Sequence, residues 1–76
     1  MARQVACLDL RGLHPPEPMQ KALEAIEALG PGEAAEIVTD REPMLLYREL
    51  ERRGYTYTTR TENGDYHNTV RRGEKE

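Results

Sequence analysis

Residues 8–18 read Leu8-Asp9-Leu10-Arg11-Gly12-Leu13-His14-Pro15-Pro16-Glu17-Pro18, and they specify the first elements of the fold. It opens inside a short apolar run, residues 5–10, whose side chains would alternate between the two faces of a β-strand. It closes on Pro16 and Pro18, which a helix accepts only in its first turn, where the missing amide hydrogens have no helical partner. The stretch therefore predicts a strand, a loop and the start of a helix.

The residues that follow extend this start into a strand–helix–strand unit. An apolar stripe with helical spacing predicts the first helix, and Gly30-Pro31-Gly32 should end it. Residues 34–39 predict a second strand, with Ala35 and Ile37 facing inward and Glu36 outward. Because a helix separates the two strands, they should lie parallel in one sheet. The stripe of the helix consists of Met19, Ala22, Leu23, Ile26 and Leu29.

A second helix is predicted after residue 40. Asp40 has the side chain of a good N-cap, Pro43 fits the first turn and Gly54 fits the end. Its buried stripe should consist of Leu46, Tyr47 and Leu50.

The remaining sequence predicts a β-hairpin. Asn63-Gly64 is the strongest short signal for a two-residue turn, and it follows the Thr- and Tyr-rich residues 55–62. With this turn, Glu62 lies opposite Asp65 and Tyr57 opposite Val70, which separates an apolar face from a charged one. The other predicted pairs are Thr61 with Tyr66, Arg60 with His67, Thr59 with Asn68, Thr58 with Thr69, and Thr56 with Arg71.

These elements predict one α/β domain, a two-layer sandwich of order βαβαββ with two helices on one face of a four-stranded mixed sheet. A chain of 76 residues forms a core too small to enclose a large internal cavity, so any ligand site should be a surface groove. The tail, about residues 73–76, is expected to be disordered. The predicted core consists of Leu8, Leu10, Leu23, Ile26, Ile37, Leu46, Leu50, Tyr57 and Val70.

The opening stretch resembles the N-terminal signature of the TusA/SirA-like sulfur-carrier proteins. That signature has an apolar residue, Asp, a Gly three residues later, and then Cys-Pro-x-Pro at the start of the first helix. Asp9, Gly12, Pro16 and Pro18 match it, and residues 31–33 with Asp40 and Pro43 resemble the family further along. The resemblance covers residues 8–72 and implies a TusA-like fold and docking to partner proteins.

One departure from this family concerns its chemistry. The family's sulfur-carrying cysteine corresponds to Pro15, and a proline has no nucleophile. The chain resembles most closely an uncharacterised sister family, a domain of unknown function with Pro-Pro-x-Pro at this point. The resemblance therefore implies the fold and a type of partner, but not sulfur transfer.

The candidate binding site lies beyond the carboxyl ends of the two parallel strands, where α/β sheets usually bind ligands. We expect a noncatalytic protein- or ligand-binding patch here, with a protein partner of unknown identity. The alternative is that these are ordinary loop and capping residues. The patch consists of Asp9, Arg11, Leu13, His14, Pro15, Asp40 and Arg41.

Two other functions remain open at this stage. Cys7, the single cysteine, would have to carry the sulfur of a carrier or redox protein, but a mid-strand thiol lacks the helix N-terminus or cations that activate cysteine. It fits better as a small apolar residue on the outer sheet face, because free cysteine usually behaves as a hydrophobic side chain. Nucleic-acid binding is the third function. Residues 53–57 superficially resemble an RNA-recognition motif, but the hairpin register turns Tyr55 and Tyr57 toward the helices, where bases cannot stack.

Charge and composition indicate which kinds of partner, site and location are favoured. The net charge is −3, and neither half of the chain is a cationic block, so nucleic acid is not a favoured partner. We find no catalytic grouping, cofactor motif or metal-ligand pattern; of the two histidines, His67 is predicted opposite the cation Arg60. No apolar run is long enough to span a membrane, and no signal peptide is apparent, so the expected location is cytoplasmic.

Overall fold

The computed structural model describes residues 3–73 and has the predicted α/β two-layer architecture. The sheet order is β1-β2-β4-β3, with β1 parallel to β2 and the other neighbours antiparallel. The fold class and the order βαβαββ are therefore confirmed. Of the tail expected to be disordered, residues 74–76 lie outside the described residues. The elements are β1 (Arg3–Asp9), α1 (Glu17–Glu27), β2 (Glu33–Thr39), α2 (Met44–Arg53), β3 (Thr56–Glu62) and β4 (Asp65–Arg71).

The hairpin register is the predicted one at every pair. Glu62 lies opposite Asp65 and Tyr57 opposite Val70, as the two-residue turn requires. Asn63 and Gly64 both have positive φ, 52° and 83°, which is the backbone that this turn needs and that Asn and Gly accept most readily. The turn thus decides which side chains of β3 and β4 face the helices.

The core lies between the helices and the sheet, and most of it was predicted. Leu8, Leu23 and Tyr57 were expected to be buried but are only partly so. Tyr57 lies on edge strand β3, where its ring stacks on Tyr47 with centroids 4.7 Å apart and its hydroxyl reaches Glu51 at the helix surface. The buried cluster consists of Leu10, Ala22, Ile26, Ile37, Leu46, Leu50 and Val70.

Both helices differ from the prediction at one end. Helix α1 ends at Glu27, and Leu29 is buried just beyond it, with its N–H donating to the carbonyl of Ile26. Helix α2 begins only at Met44 and has no side-chain cap. The prediction that Asp40 caps it is wrong, because the Asp40 carboxylate accepts a hydrogen bond from the loop after β1 instead.

One polar side chain is fully buried beneath α2. The Nδ2 atom of Asn68 donates to the carbonyl of Ile37 at 3.1 Å, and its Oδ1 atom accepts from the hydroxyls of Tyr47 and Thr59 at 3.1 and 2.9 Å. Because every polar atom of the amide has a partner, the burial is tolerated. Asn68 therefore joins β2, α2 and β3 through one side chain.

Within residues 3–73, neither helix has the length and apolar character needed to cross a membrane.

Candidate functional site

A groove of about 570 Å³ lies where β1 and β2 end and the two helices begin. Its floor is apolar and includes the buried side chains of Leu10, Ala22, Ile37 and Leu46. The loops after β1 and β2 form its sides. The residues that line the sides and rim are Gly12, Leu13, His14, Pro15, Pro16, Pro18, Met19, Thr39, Asp40, Arg41, Glu42, Pro43, Met44 and Leu45.

Hydrogen bonds hold the two loops in place. The N–H of Gly12 donates to Oδ2 of Asp40 at 3.0 Å, which joins the loops to each other. Gly12 has a φ of 80°, a conformation that only glycine adopts without strain. The hydroxyl of Thr39 donates to the carbonyl of Arg41 at 2.7 Å, and the N–H of Glu17 donates to the carbonyl of His14 at 2.9 Å. The groove therefore has a defined frame.

The rim of the groove exposes two large apolar side chains at the start of α2. Met44 is 59 % exposed and Leu45 is 68 % exposed. Leu13, on the other loop, is half-buried and packs against the core rather than projecting freely. Contiguous apolar surface of this kind, bordered by polar residues, is typical of interaction sites.

Arg11 lies outside the groove, in an ion-pair cluster on the outer side of the same sheet end. It contacts Asp9 at 2.7 Å and Asp65 at 2.9 Å, so it links β1 to β4 past the end of β2. The hydrogen bonds from Arg11 lower the pKa of the Asp9 carboxyl to about 2, and the two carboxylates raise the pKa of Arg11. Arg11 is thus already paired and does not frame the groove.

The structure gathers most of the predicted binding patch around the groove, but not all of it. Asp9 and Arg11 do not line it. Met44 and Leu45 were not among the predicted site residues, although the position of Leu45 in the sequence indicated that it would be exposed. It precedes Arg48 and Glu49 by three and four residues, which places a leucine on the charged side of α2. The predicted residues that do line the groove are Leu13, His14, Pro15, Asp40 and Arg41.

The remaining candidate residues lie on the sheet. Cys7 is exposed and pairs in register with Glu36, so its neighbour on β2 is an acid. His67 lies opposite Arg60 as predicted, and its Nδ1 atom is 3.0 Å from the Glu36 carboxylate. Tyr55 and Tyr57 pack against the core on the helix side, as predicted. Among residues 3–73, no group of three or more His, Cys, Asp or Glu side chains is arranged to hold a metal ion.

Comparison with known proteins places this geometry in a family. A solved structure of a SirA-like protein from Desulfitobacterium hafniense superposes with a TM-score of 0.80 and 24 % sequence identity, covering 92 % of this chain and all of that chain. At this identity the match shows the fold. No curated protein matches the sequence significantly. The model of the uncharacterized conserved protein family DUF2249 matches residues 7–72. The chain therefore belongs to the DUF2249 family and has a SirA-like fold.

Proposed function

We propose that this chain is a noncatalytic binding module that holds a protein partner or a small ligand in the groove between the starts of α1 and α2. The proposal rests on an apolar groove with two exposed aliphatic side chains, Met44 and Leu45, on its rim. Exposing such side chains to water is unfavourable, so a partner that covers them gains free energy from their burial.

The chemistry of the groove supports binding over catalysis. Asp40 and Thr39, two of its polar side chains, are engaged in holding the loops. Pro15 occupies the position at which the TusA/SirA-like sulfur carriers have their cysteine, and proline has no nucleophile. The groove is lined mainly by apolar side chains on loops that hydrogen bonds hold in place. Their burial contributes binding affinity, and their arrangement sets the shape that a ligand must match.

The size of the groove is compatible with either class of ligand. A volume near 570 Å³ falls within the range of small-molecule pockets, roughly 300–1,000 Å³. Met44 and Leu45, however, stay largely exposed on the rim, and a small molecule inside the groove would leave much of their surface in water. We therefore favour a protein partner.

A sulfur carrier acting through Cys7 is the second candidate, because the exposure of this thiol leaves it accessible. Its surroundings argue against the role. Cys7 lies within β1, not at a helix N-terminus, and its neighbour in the parallel register is Glu36 rather than a cation. Cys7 also does not line the groove.

The proposal is tested by capturing partners from the native cell extract with the wild-type chain and with a Met44→Ala, Leu45→Ala double variant, whose two side chains are both exposed. We expect the double variant to lose its specific partners while keeping its circular dichroism spectrum. Thr58→Ala, on the opposite face of the sheet, is the matched control and should keep them. If the double variant retains every specific partner at unchanged affinity, the groove is not the binding surface.

A further inference from the structure

Exposed aliphatic side chains and an apolar cavity lie side by side at the rim of the groove. Met44 and Leu45 stand out from the start of α2, and the floor beside them is formed by buried apolar side chains. When a knob and a hole lie side by side on one surface, a two-fold axis can place the knob of each copy into the hole of the other. Such a surface is complementary to itself.

The charges next to this rim have the same property. Arg41 and Glu42 are adjacent and exposed. Neither takes part in an ion pair with any residue from 3 to 73. The pair carries no net charge, so it does not select a basic or an acidic partner. Across a two-fold axis, however, Arg41 of each copy can meet Glu42 of the other, which forms the same ion pair twice.

We infer that a second copy of this chain docks on the groove, with Leu45 of each copy inserted into the groove of the other and Arg41 paired with Glu42 across the axis. The inference rests on the proposed function, because it names the partner of that same surface. The symmetric arrangement buries the exposed aliphatic side chains of both copies at once. It also pairs the two charges that the isolated chain leaves hydrated at the surface.

The first experiment measures the mass of the full chain by sedimentation velocity at concentrations from about 10 μM to about 1 mM. We expect a concentration-dependent species with twice the monomer mass of 8.7 kDa. Leu45→Glu should raise the dissociation constant at least about 100-fold, because the unpaired charge enters the symmetric interface twice. Val5→Glu is the control. Val5 is also exposed, at 46 %, but it lies on edge strand β1 and should leave dimerisation unchanged.

The second experiment uses charge reversal to test the symmetry. Arg41→Glu and Glu42→Arg each place like charges across the proposed axis, so each variant alone should dissociate. Mixed in equal amounts, the two variants should associate with each other, because every cross-axis pair is then one cation and one anion. If the mixture stays monomeric while the wild-type chain is dimeric, the two-fold docking is wrong.

These measurements separate this inference from the function on which it rests. A wild-type chain that is monomeric at about 1 mM overturns the docking of a second copy, whereas binding at the groove is judged by the capture experiment. A dimer that Val5→Glu disrupts and Leu45→Glu does not would place the interface at the β1 edge and also overturn the inference. If Leu45→Glu changes neither the mass nor the captured proteins, both the docking and the groove function fail.

Discussion

Oδ2 of Asp40 accepts a hydrogen bond from the N–H of Gly12 at 3.0 Å, and this bond joins the loop after β2 to the loop after β1. The two residues are 28 positions apart in sequence and lie at the ends of neighbouring parallel strands. Because the two loops carry the opposite sides of the groove, the width of the groove depends on this contact.

Replacing Asp40 with Ala should loosen the groove without unfolding the chain. The lost hydrogen bond lies at the surface, so the free energy of unfolding should fall by at most about 1 kcal/mol. Amide hydrogen exchange at Gly12 should become faster, because its N–H loses its acceptor. Glu42→Ala, which removes a nearby carboxylate that the Gly12 N–H does not contact, is the control. Unchanged exchange at Gly12 in Asp40→Ala would show that this contact does not hold the loops.

Asn68→Ala should destabilise the fold far more than a surface change. The substitution removes, from a fully buried side chain, the donor to the Ile37 carbonyl and the acceptor of two part-buried hydroxyl hydrogen bonds. We expect a loss of roughly 2–3 kcal/mol in urea denaturation. Thr69→Ala, next in sequence but on the outer face of the sheet, should cost less than about 1 kcal/mol. Equal losses for the two variants would contradict the role assigned to the buried amide.

The sequence was most informative where local chemistry alone decides the structure. Asn63-Gly64 specifies its own turn, and the turn sets every pair of the hairpin, so the register was predicted in full. The prolines at the start of α1 likewise predicted where the helix of the βαβ unit begins. These features depend on backbone conformations that few residues adopt, and they do not depend on distant partners.

The errors occurred where a side chain had a choice of partners. Asp40 has the chemistry of a helix cap, but the N–H of Gly12 lies within reach and takes its carboxylate. Arg11 was expected beside the groove, yet Asp9 and Asp65 together draw it to the outer side of the sheet end. The Gly12–Asp40 and Arg11–Asp65 contacts join residues far apart in sequence, and spacing along the chain does not reveal them.

The Asp9–Arg11 pair should make stability depend on acid pH. The pKa of Asp9 is lowered from 3.8 to about 2 by hydrogen bonds from Arg11. Its contribution is therefore present above pH 3.8 and is lost as the pH falls toward 2. The pair is solvent-exposed, so the contribution should be small.

Carboxyl NMR titration measures this pKa directly. Arg11→Ala should return the Asp9 midpoint toward 3.8, whereas Arg3→Ala, which removes a cation paired with Glu33 instead, should leave it unchanged. An Asp9 midpoint near 3.8 in the wild-type chain would show that the pair does not form in solution.

Incubation with a cysteine desulfurase and free cysteine should leave Cys7 unmodified. The exposed thiol lies within β1, and its register neighbour is Glu36 rather than a cation, so it lacks the setting typical of a reactive cysteine. Intact mass spectrometry is the measurement, and a TusA-type carrier with its cysteine in place is the positive control. A stoichiometric gain of one sulfur atom that disappears in Cys7→Ser would favour the carrier function over the binding module.

The most direct test of the groove as the binding surface is site-specific photocrosslinking in the native cell. A photoreactive amino acid is placed at Leu45, on the rim of the groove, and in a separate protein at Thr58, on the opposite face of the sheet. Both side chains are exposed, so both probes report on what approaches them. If the groove is the binding surface, discrete crosslinked species form from position 45 and only diffuse background from position 58. Discrete species from position 58 with none from position 45 would rule the groove out as the binding surface.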